Sequence, residues 1–181
     1  MDGDKEQAPD EELMLAYRHG DAGAFEALYK RHRGALFRFV LRSLHQRSAA
    51  EELFQEVWMR VIEARGRYAP QARFTTWLYT IAHNLLVDHW CKKGLAVVSL
   101  DQEDVPIESE NPAARAEGRE ALGRFLQALD GLPPAQREAF LLHEEGGLSA
   151  AQIAAATGTN EEAAKSRLRY AMAKLKAAVD E

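Results

Sequence analysis

Apolar residues recur at helical spacing along most of the chain, and no segment keeps the alternation that is typical of β-strands. This pattern predicts a series of helices in the first half of the chain. We predict Asp10 and Asp21 as N-caps, Ser48–Glu51 as a capping box, and Thr75 or Thr76 as a further cap. The core positions predicted for the first three of these helices are Leu13, Met14, Tyr17, Phe25, Leu28, Tyr29, Leu36, Phe39, Val40, Leu44, Leu53, Phe54, Val57, Val61 and Ile62.

Two segments interrupt the helical pattern. Residues 66–74 contain Gly66 and Pro70, which favours a loop between helices. A longer acidic segment, 95–118, lacks sustained periodicity and is predicted to be a flexible linker. The predicted fold class is therefore all-α, with two small helical domains joined by this acidic linker. The predicted ranges are a disordered acidic tail at 1–9, a first domain at 10–94 and a second domain at 119–181.

The second domain contains a helix-turn-helix signature near its C-terminal end. Ser149–Gln152 and Thr159–Glu162 form two capping boxes, and Gly158 supplies the turn between them. The longer helix has an apolar back and a second face that is largely basic. The residues on that face are Lys165, Arg169, Met172 and Lys176, with Ser166 and Tyr170 beside them. Such a helix can enter the major groove of DNA, although a plain helical hairpin with a charged face remains the alternative.

Residues 50–61 place several polar side chains on the outer face of a predicted helix. These residues are Glu52, Gln55, Glu56, Met59 and Glu63. Their spacing alone indicates a solvated face. Met59 and the adjacent Trp58 make a protein contact conceivable, because such residues are enriched at interfaces.

Residues 73–90 are rich in aromatic and imidazole rings. One side of the predicted helix carries Leu78, Ile81, Ala82 and Leu85, which suffice for a core, and we expect Trp77 to pack under the loop before the helix. Another side carries Tyr79, His83, Leu86 and Trp90.

Composition narrows the possible functions. The net charge is −5, but residues 13–47, 60–93 and 165–176 form separate basic blocks that could meet nucleic-acid phosphates. The single cysteine and the acidic, polar N-terminus indicate a reducing cytoplasm rather than secretion, and no membrane insertion is expected.

The sequence contains no catalytic motif, so we predict neither an enzyme nor a cofactor. His83, Asp88, His89 and Cys91 lie close in sequence, but helical geometry points His83 and His89 to different sides. A metal site is therefore not expected.

Three segments together resemble the extracytoplasmic-function (ECF) sigma factors of bacterial RNA polymerase. "AEELFQEVWMRVIEARGRY" resembles the helix that binds core polymerase, and "FTTWLYTIAHNLLVDHW" resembles the promoter-melting helix. "LPPAQREAFLLHEEGGLSAAQIAAATGTNEEAAKSRLRYAMAKL" resembles the C-terminal DNA-binding domain. The resemblance covers residues 10–178.

The resemblance implies a promoter-specificity subunit with three surfaces. The first would bind the clamp helices of the largest polymerase subunit through Glu52, Gln55, Glu56 and Met59. The second would hold the −10 element through Tyr68, Gln71, Arg73 and Asn84. The third would read the −35 element through Lys165, Ser166, Arg169 and Tyr170. The second domain would also touch the flap of the second-largest subunit. An anti-sigma factor would inhibit the chain in the cytoplasm. When bound to polymerase, the chain would associate with the nucleoid.

The sequence departs from the family pattern at His83, Gln152 and Glu162–Ala164. These departures motivate an alternative function, a sigma-like decoy that binds an anti-sigma factor without initiating transcription. A helix-turn-helix repressor is a third possibility, but it does not explain the first domain.

Overall fold

The structure, a computed structural model, describes residues 2–93 and 112–180, and within these ranges it contains helices and turns but no strand. The all-α fold class is therefore confirmed. The helices in chain order are α1 (Asp2–Gln7), α2 (Asp10–Arg18), α3 (Ala22–Leu44), α4 (Arg47–Ala64), α5 (Phe74–Lys92), α6 (Pro112–Asp130), α7 (Pro134–Glu144), α8 (Ala150–Thr157) and α9 (Glu161–Asp180). A 3₁₀ turn, Arg65–Arg67, follows α4.

Helices α2 to α5 form the first domain around a core of apolar and aromatic side chains. Leu28, Phe39 and Val57 are fully buried, as their helical spacing predicts. Trp58 is only 5% exposed, and its ring lies edge-on to those of Phe25 and Tyr29. The aromatic cluster of the core encloses Trp58, so of the two residues that made a protein contact conceivable only Met59 is exposed.

The predicted helix starts have mixed outcomes. Asp21 accepts a hydrogen bond from the Ala24 amide and caps α3, as predicted. Ser48 does not cap α4, because that helix begins one residue earlier, at Arg47, and Glu51 instead pairs with the Arg47 guanidinium. Asp10 is likewise the first residue of α2 rather than its cap.

Helix α5 also begins earlier than predicted. It starts at Phe74, so neither Thr75 nor Thr76 is its N-cap. The Phe74 amide donates to Oε1 of Glu11, a residue of α2, at 2.8 Å. A helix begins with amides that lack intrahelical partners, and here a carboxylate from another helix accepts from the first of them.

The N-terminal tail, predicted to be disordered, contains the short helix α1. Arg31 of α3 donates to the backbone carbonyls of Glu6 and Ala8, and Lys5 pairs with Asp21 at 2.8 Å. These contacts fix α1 against α3.

The second helical domain also begins earlier than position 119, because α6 starts at Pro112. The rest of the predicted linker, 95–111, lies outside the described residues.

Helices α6 to α9 form the second domain. As predicted, α6 ends immediately before Gly131 and α7 begins at Pro134, where the missing proline N–H leaves no helix bond unmade. Leu142, Leu148 and Ile153 are buried in its core. Phe125 and Phe140 are half-buried and their rings pack edge to face at 6.0 Å between centroids.

The two domains pack against each other through α5 and α8 and through α3 and α7. Tyr79 of α5 lies against Gly146, where a Cβ atom would stand 3.1 Å from the tyrosine ring. Burial raises the pKa of Tyr79, and the nearby Glu145 carboxylate raises that pKa further. The side of α5 that carries Tyr79 and His83 therefore faces the second domain, although the Tyr79 ring also packs edge to face against Phe39 of the first domain, at 5.3 Å between centroids.

Candidate nucleic-acid interface

The helix-turn-helix is present in the second domain. The Ser149 hydroxyl accepts from the Gln152 amide, and the Gln152 side chain accepts from the Ser149 amide, so the predicted capping box is confirmed. Gly158 ends α8 in the left-handed conformation, with φ of 69°. The cap of α9 differs from the prediction by one residue, because Asn160 rather than Thr159 accepts from the Ala163 amide.

The long helix of this motif, α9, presents a largely basic face to solvent, which we call its front. Its back is buried through Ala164, Ala171 and Leu175. Lys165, Arg169 and Tyr170 are exposed on the other side, whereas Ser166 is half-buried. The Arg169 guanidinium lies 5.5 Å from the centre of the Tyr170 ring, within the range of a cation–π contact.

Two carboxylates occupy the start of the same helix beside Lys165. The Lys165 ammonium lies 3.1 Å from Glu161 and 3.6 Å from Glu162. The hydrogen bond to Glu161 and the charges of both acids raise the pKa of Lys165. Lys165 therefore stays charged, but the carboxylates of Glu161 and Glu162 largely balance its charge. The Arg169 guanidinium, in contrast, has no carboxylate partner among the described residues.

In the first domain, the loop before α5 and helix α5 itself carry the residues predicted for the −10 element. Gln71 and Arg73 are exposed in this loop, and Asn84 is exposed on α5. Tyr68 differs, because it is only 3% exposed and its ring packs against Trp77 at 5.1 Å between centroids. Burial, with the charges of Glu11 and Asp10, raises the pKa of Tyr68 to about 12.

The structure therefore changes the predicted role of Tyr68. Its ring cannot stack on a base in this arrangement, and it supports the loop from beneath. Trp77, half-buried beside Tyr68 and Phe74, packs under the loop as predicted.

The outer face of α4 carries the residues predicted to contact polymerase. Glu52, Gln55 and Glu56 are exposed, and Met59 is 52% exposed. Glu56 accepts from Arg60 at 3.3 Å, whereas Glu52 has no ion pair among the described residues and keeps the face acidic beside the apolar Met59. This composition suits a basic partner surface with an apolar contact.

The residues that sequence reasoning missed lie at the boundary between the domains and along α2. His83 of α5 bonds to Glu138 of α7, and Arg38 of α3 donates to Glu145 at 2.9 Å. Arg18 of α2 donates to the Tyr68 carbonyl at 2.8 Å. No local pattern could have indicated these pairs, because their members are 50 or more residues apart.

Within the described ranges, no group of three or more histidine, cysteine or acidic residues could hold a metal ion. His83, one candidate ligand, is occupied by Glu138, and Cys91 is an exposed free thiol. None of the helices described is long and apolar enough to cross a membrane.

Comparisons with known proteins agree with this architecture. Residues 28–95 match the family description Sigma-70 region 2, and residues 122–175 match Sigma-70, region 4. The chain is 34% identical over 164 residues to the RNA polymerase sigma factor CarQ of Myxococcus xanthus, covering 90% of this chain and 93% of that relative.

A second relative and a solved structure extend the comparison. The ECF RNA polymerase sigma factor SigL of Mycobacterium tuberculosis is 33% identical over 168 residues, which cover 89% of this chain and 92% of SigL. The fold also matches the sigma factor RpoE of Bartonella quintana, solved in complex with the anti-sigma factor NepR, with a TM-score of 0.68. That match is 23% identical and covers 86% of this chain and 96% of RpoE. The chain therefore belongs to the ECF sigma factors, the promoter-specificity subunits of bacterial RNA polymerase.

Proposed function

We propose that three separate surfaces divide the work of this sigma factor. The front of α9 reads the −35 element, the loop before α5 together with Asn84 holds the −10 element, and the outer face of α4 binds the clamp helices of the largest polymerase subunit. The second domain also contacts the flap of the second-largest subunit. The chain itself has no catalytic activity, since the polymerase performs the chemistry.

The exposed basic front of α9 is the observation that carries this proposal. Arg169 and Lys165 can donate to guanine edges or phosphates, and Tyr170 can bond to either. The buried back, with Ala164 and Ala171, holds the helix on its own domain while the front enters the groove.

The −10 surface uses groups that suit single-stranded DNA. Gln71 and Asn84 carry amides that can bond to the edge of an unstacked base, and Arg73 can bond to the backbone or stack on a base. Glu52, Gln55 and Glu56 on α4 can accept from basic residues of the clamp helices, with Met59 as the apolar centre.

We further propose that an anti-sigma factor holds this chain inactive in the cytoplasm and that the chain joins the nucleoid once polymerase binds it. The complex of RpoE with NepR supports such a partner. The similarity to sigma factors along most of the chain does not favour the decoy alternative.

Transcription in vitro with purified core polymerase and a genomic promoter library tests the proposal. We expect promoter-specific transcripts that depend on this chain. Core binding without any specific transcript would instead support the decoy, and tight duplex binding without core would support a repressor.

Matched variants of α9 test the −35 surface in the same assay. Arg169→Ala should lower promoter affinity about tenfold or more, since one good contact to a base edge contributes roughly 1–3 kcal/mol. Lys174→Ala is the control, because Lys174 is an exposed base of the same helix that lies about 140° around the helix axis from Arg169. Equal effects of the two substitutions would contradict the assignment of the front.

A further inference from the structure

The loop before α5 is attached at both ends to the same helix, α2. At its beginning, Arg18 Nη1 donates to the Tyr68 carbonyl at 2.8 Å. At its end, the Phe74 amide donates to Glu11 Oε1 at 2.8 Å. The residues between these two attachment points, 69–73, are all exposed and include Gln71 and Arg73.

Glu11 and Arg18 can hold both ends of the loop because of their spacing on α2. Seven residues are two turns of an α-helix, so the two side chains lie on one face, roughly 10 Å apart along the axis. Arg65, in the turn that leads into the loop, also places its guanidinium 5.2 Å from the Tyr17 ring of α2. The face of α2 therefore sets the distance between the ends of the loop.

Helix α2 is itself fixed in the domain. Asp10, next to Glu11, pairs with Arg31 at 2.6 Å and with His32 at 2.9 Å. Burial raises the pKa of Asp10, but the hydrogen bonds from His32 and Arg31 outweigh it and lower the pKa. Asp10 therefore remains ionised near neutral pH, and these pairs anchor the N-terminal turn of α2 to α3.

We propose that Glu11 and Arg18 are positioning residues for the −10 element. By fixing the Phe74 amide and the Tyr68 carbonyl, they hold the exposed loop in the conformation that presents Gln71 and Arg73 at the surface. They do not touch the DNA. This inference rests on the proposed role of the loop, and it adds α2 as the element on which that role depends.

The bond to the Phe74 amide carries the larger effect. Arg73, the residue before α5, supplies no side-chain cap to that helix, so Glu11 accepts from an amide that lacks an intrahelical partner. Hydrogen bonds to charged groups are stronger than neutral ones, and losing this bond would let the loop sample other conformations. We expect roughly tenfold weaker capture of the single-stranded −10 segment.

The test uses the full chain bound to core polymerase. The probe is a fluorescent forked duplex that carries the single-stranded non-template −10 segment of a promoter transcribed by the wild-type holoenzyme. We expect Glu11→Leu to bind this probe about tenfold more weakly while its affinity for core polymerase stays unchanged. Glu11→Gln keeps an acceptor oxygen at the same place and should restore most of the binding, and Arg18→Lys should likewise exceed Arg18→Met.

Controls separate positioning from general damage. Glu12→Leu changes an exposed acid in the same turn of α2 and should leave probe binding unaltered. Equal losses in Glu11→Leu and Glu11→Gln, or no loss in either, would overturn the positioning role. If the −10 assignment itself fails, Gln71→Ala and Asn84→Ala will bind the probe as the wild type does. If only positioning fails, these two variants will bind weakly while Glu11→Leu binds normally.

Discussion

His83 of α5 and Glu138 of α7 are hydrogen-bonded across the boundary between the two domains, with side chains only 15% and 11% exposed. Two further pairs cross the same boundary, Arg38 with Glu145 and His45 with Asp130. In all three pairs the first domain supplies the basic group and the second domain supplies the acid. Arg38 with Glu145 is the permanently charged pair among these three, so the docked arrangement depends on this ion pair and on histidine–carboxylate contacts in addition to apolar packing around Tyr79.

Reversing one charge at this boundary should separate the domains. In Glu145→Arg, the new guanidinium faces Arg38, so attraction becomes repulsion. The Arg38–Glu145 pair is partly exposed, and such pairs contribute about 0.2–1 kcal/mol. Losing the pair therefore changes the ratio of docked to separated molecules by up to about fivefold. The repulsion between the two guanidinium groups increases this change further. Small-angle scattering should show a larger radius of gyration.

The double variant Arg38→Glu with Glu145→Arg supplies the internal control, because it restores opposite charges and should return the radius towards the wild-type value. Arg47→Glu reverses an exposed charge within the first domain, where Arg47 pairs with Glu51, and should leave the radius unchanged. A radius that does not respond to Glu145→Arg would show that apolar packing alone holds the domains together.

Acidification should weaken the native structure through His45. Burial lowers the pKa of His45 below its usual 6.5, and although Asp130 opposes this effect, Arg137 and Arg42 add to it. The native protein therefore binds fewer protons than the unfolded chain, so the contribution of His45 to stability is lost as the pH falls below about 6.5.

The measurement is the melting temperature of wild type and His45→Asn between pH 8 and pH 5. His45 has a φ of 57°, and asparagine tolerates this left-handed conformation while removing the titration. The wild type should lose stability relative to the variant on acidification. His19→Asn, at an exposed position, should show no such difference. A wild type that gains stability at low pH would mean that the charge of Asp130 dominates.

Removing the Tyr68 hydroxyl should be harmless or stabilising. The hydroxyl is buried and has no hydrogen-bond partner in the part of the chain that the structure describes. A buried hydroxyl without a partner costs about 1–3 kcal/mol, so Tyr68→Phe should raise the free energy of unfolding by up to about 1 kcal/mol. Chemical denaturation measures this change. Reduced binding of the forked probe by Tyr68→Phe would instead show that the hydroxyl reaches DNA.

Gly146 should be intolerant of even a methyl group. A Cβ there would stand 2.7 Å from the Leu142 carbonyl and from Leu148, and 3.1 Å from the Tyr79 ring. We expect Gly146→Ala to lower the free energy of unfolding by about 1–3 kcal/mol. Gly123→Ala is the matched control, since nothing lies within 4 Å of its Cβ position, and in the interior of α6 it should stabilise by about 0.5–1 kcal/mol.

Removing the acids at the start of α9 should strengthen DNA binding. Glu161→Gln combined with Glu162→Gln leaves Lys165 without its carboxylate partners, so its charge becomes available to phosphates. The affinity for duplex promoter DNA should rise, and the dependence of log K on log salt should become steeper by about one unit. Fluorescence anisotropy at several salt concentrations measures both. Lower affinity at particular sequences only would instead indicate that a carboxylate accepts from a cytosine.

The sequence predicted those features that depend on neighbouring residues. The 3.6-residue periodicity is a local property, so the helices and most of the core, such as Leu28 and Phe39, could be predicted. The capping box of Ser149 and the turn at Gly158 are also local. The cap expected at Asp10 was wrong because the distant side chains of Arg31 and His32 pair with its carboxylate. The cap expected at Ser48 was wrong because α4 already begins at Arg47, where Arg47 pairs with Glu51.

In the candidate site, too, local features could be predicted from the sequence and tertiary contacts could not. Helical spacing correctly placed Met59, Arg169 and Asn84 on exposed faces, because exposure follows from the position of the core stripe. The family resemblance assigned Tyr68 to the DNA-binding surface, but the rings of Trp77 and Phe74 enclose it. The contacts of Glu11 with the Phe74 amide and of Arg38 with Glu145 depend on the tertiary fold, and no single-sequence pattern contains them.

The position of α5 between the domains also affects how tightly any partner binds. Its side with Tyr79 and His83 is covered by the second domain, so a ligand that needs this side, or needs the domains apart, binds only the separated molecules. The apparent dissociation constant of such a ligand is its intrinsic value divided by the separated fraction. A substitution at the boundary, remote from polymerase and from DNA, therefore shifts the apparent affinities of all such ligands by one common factor.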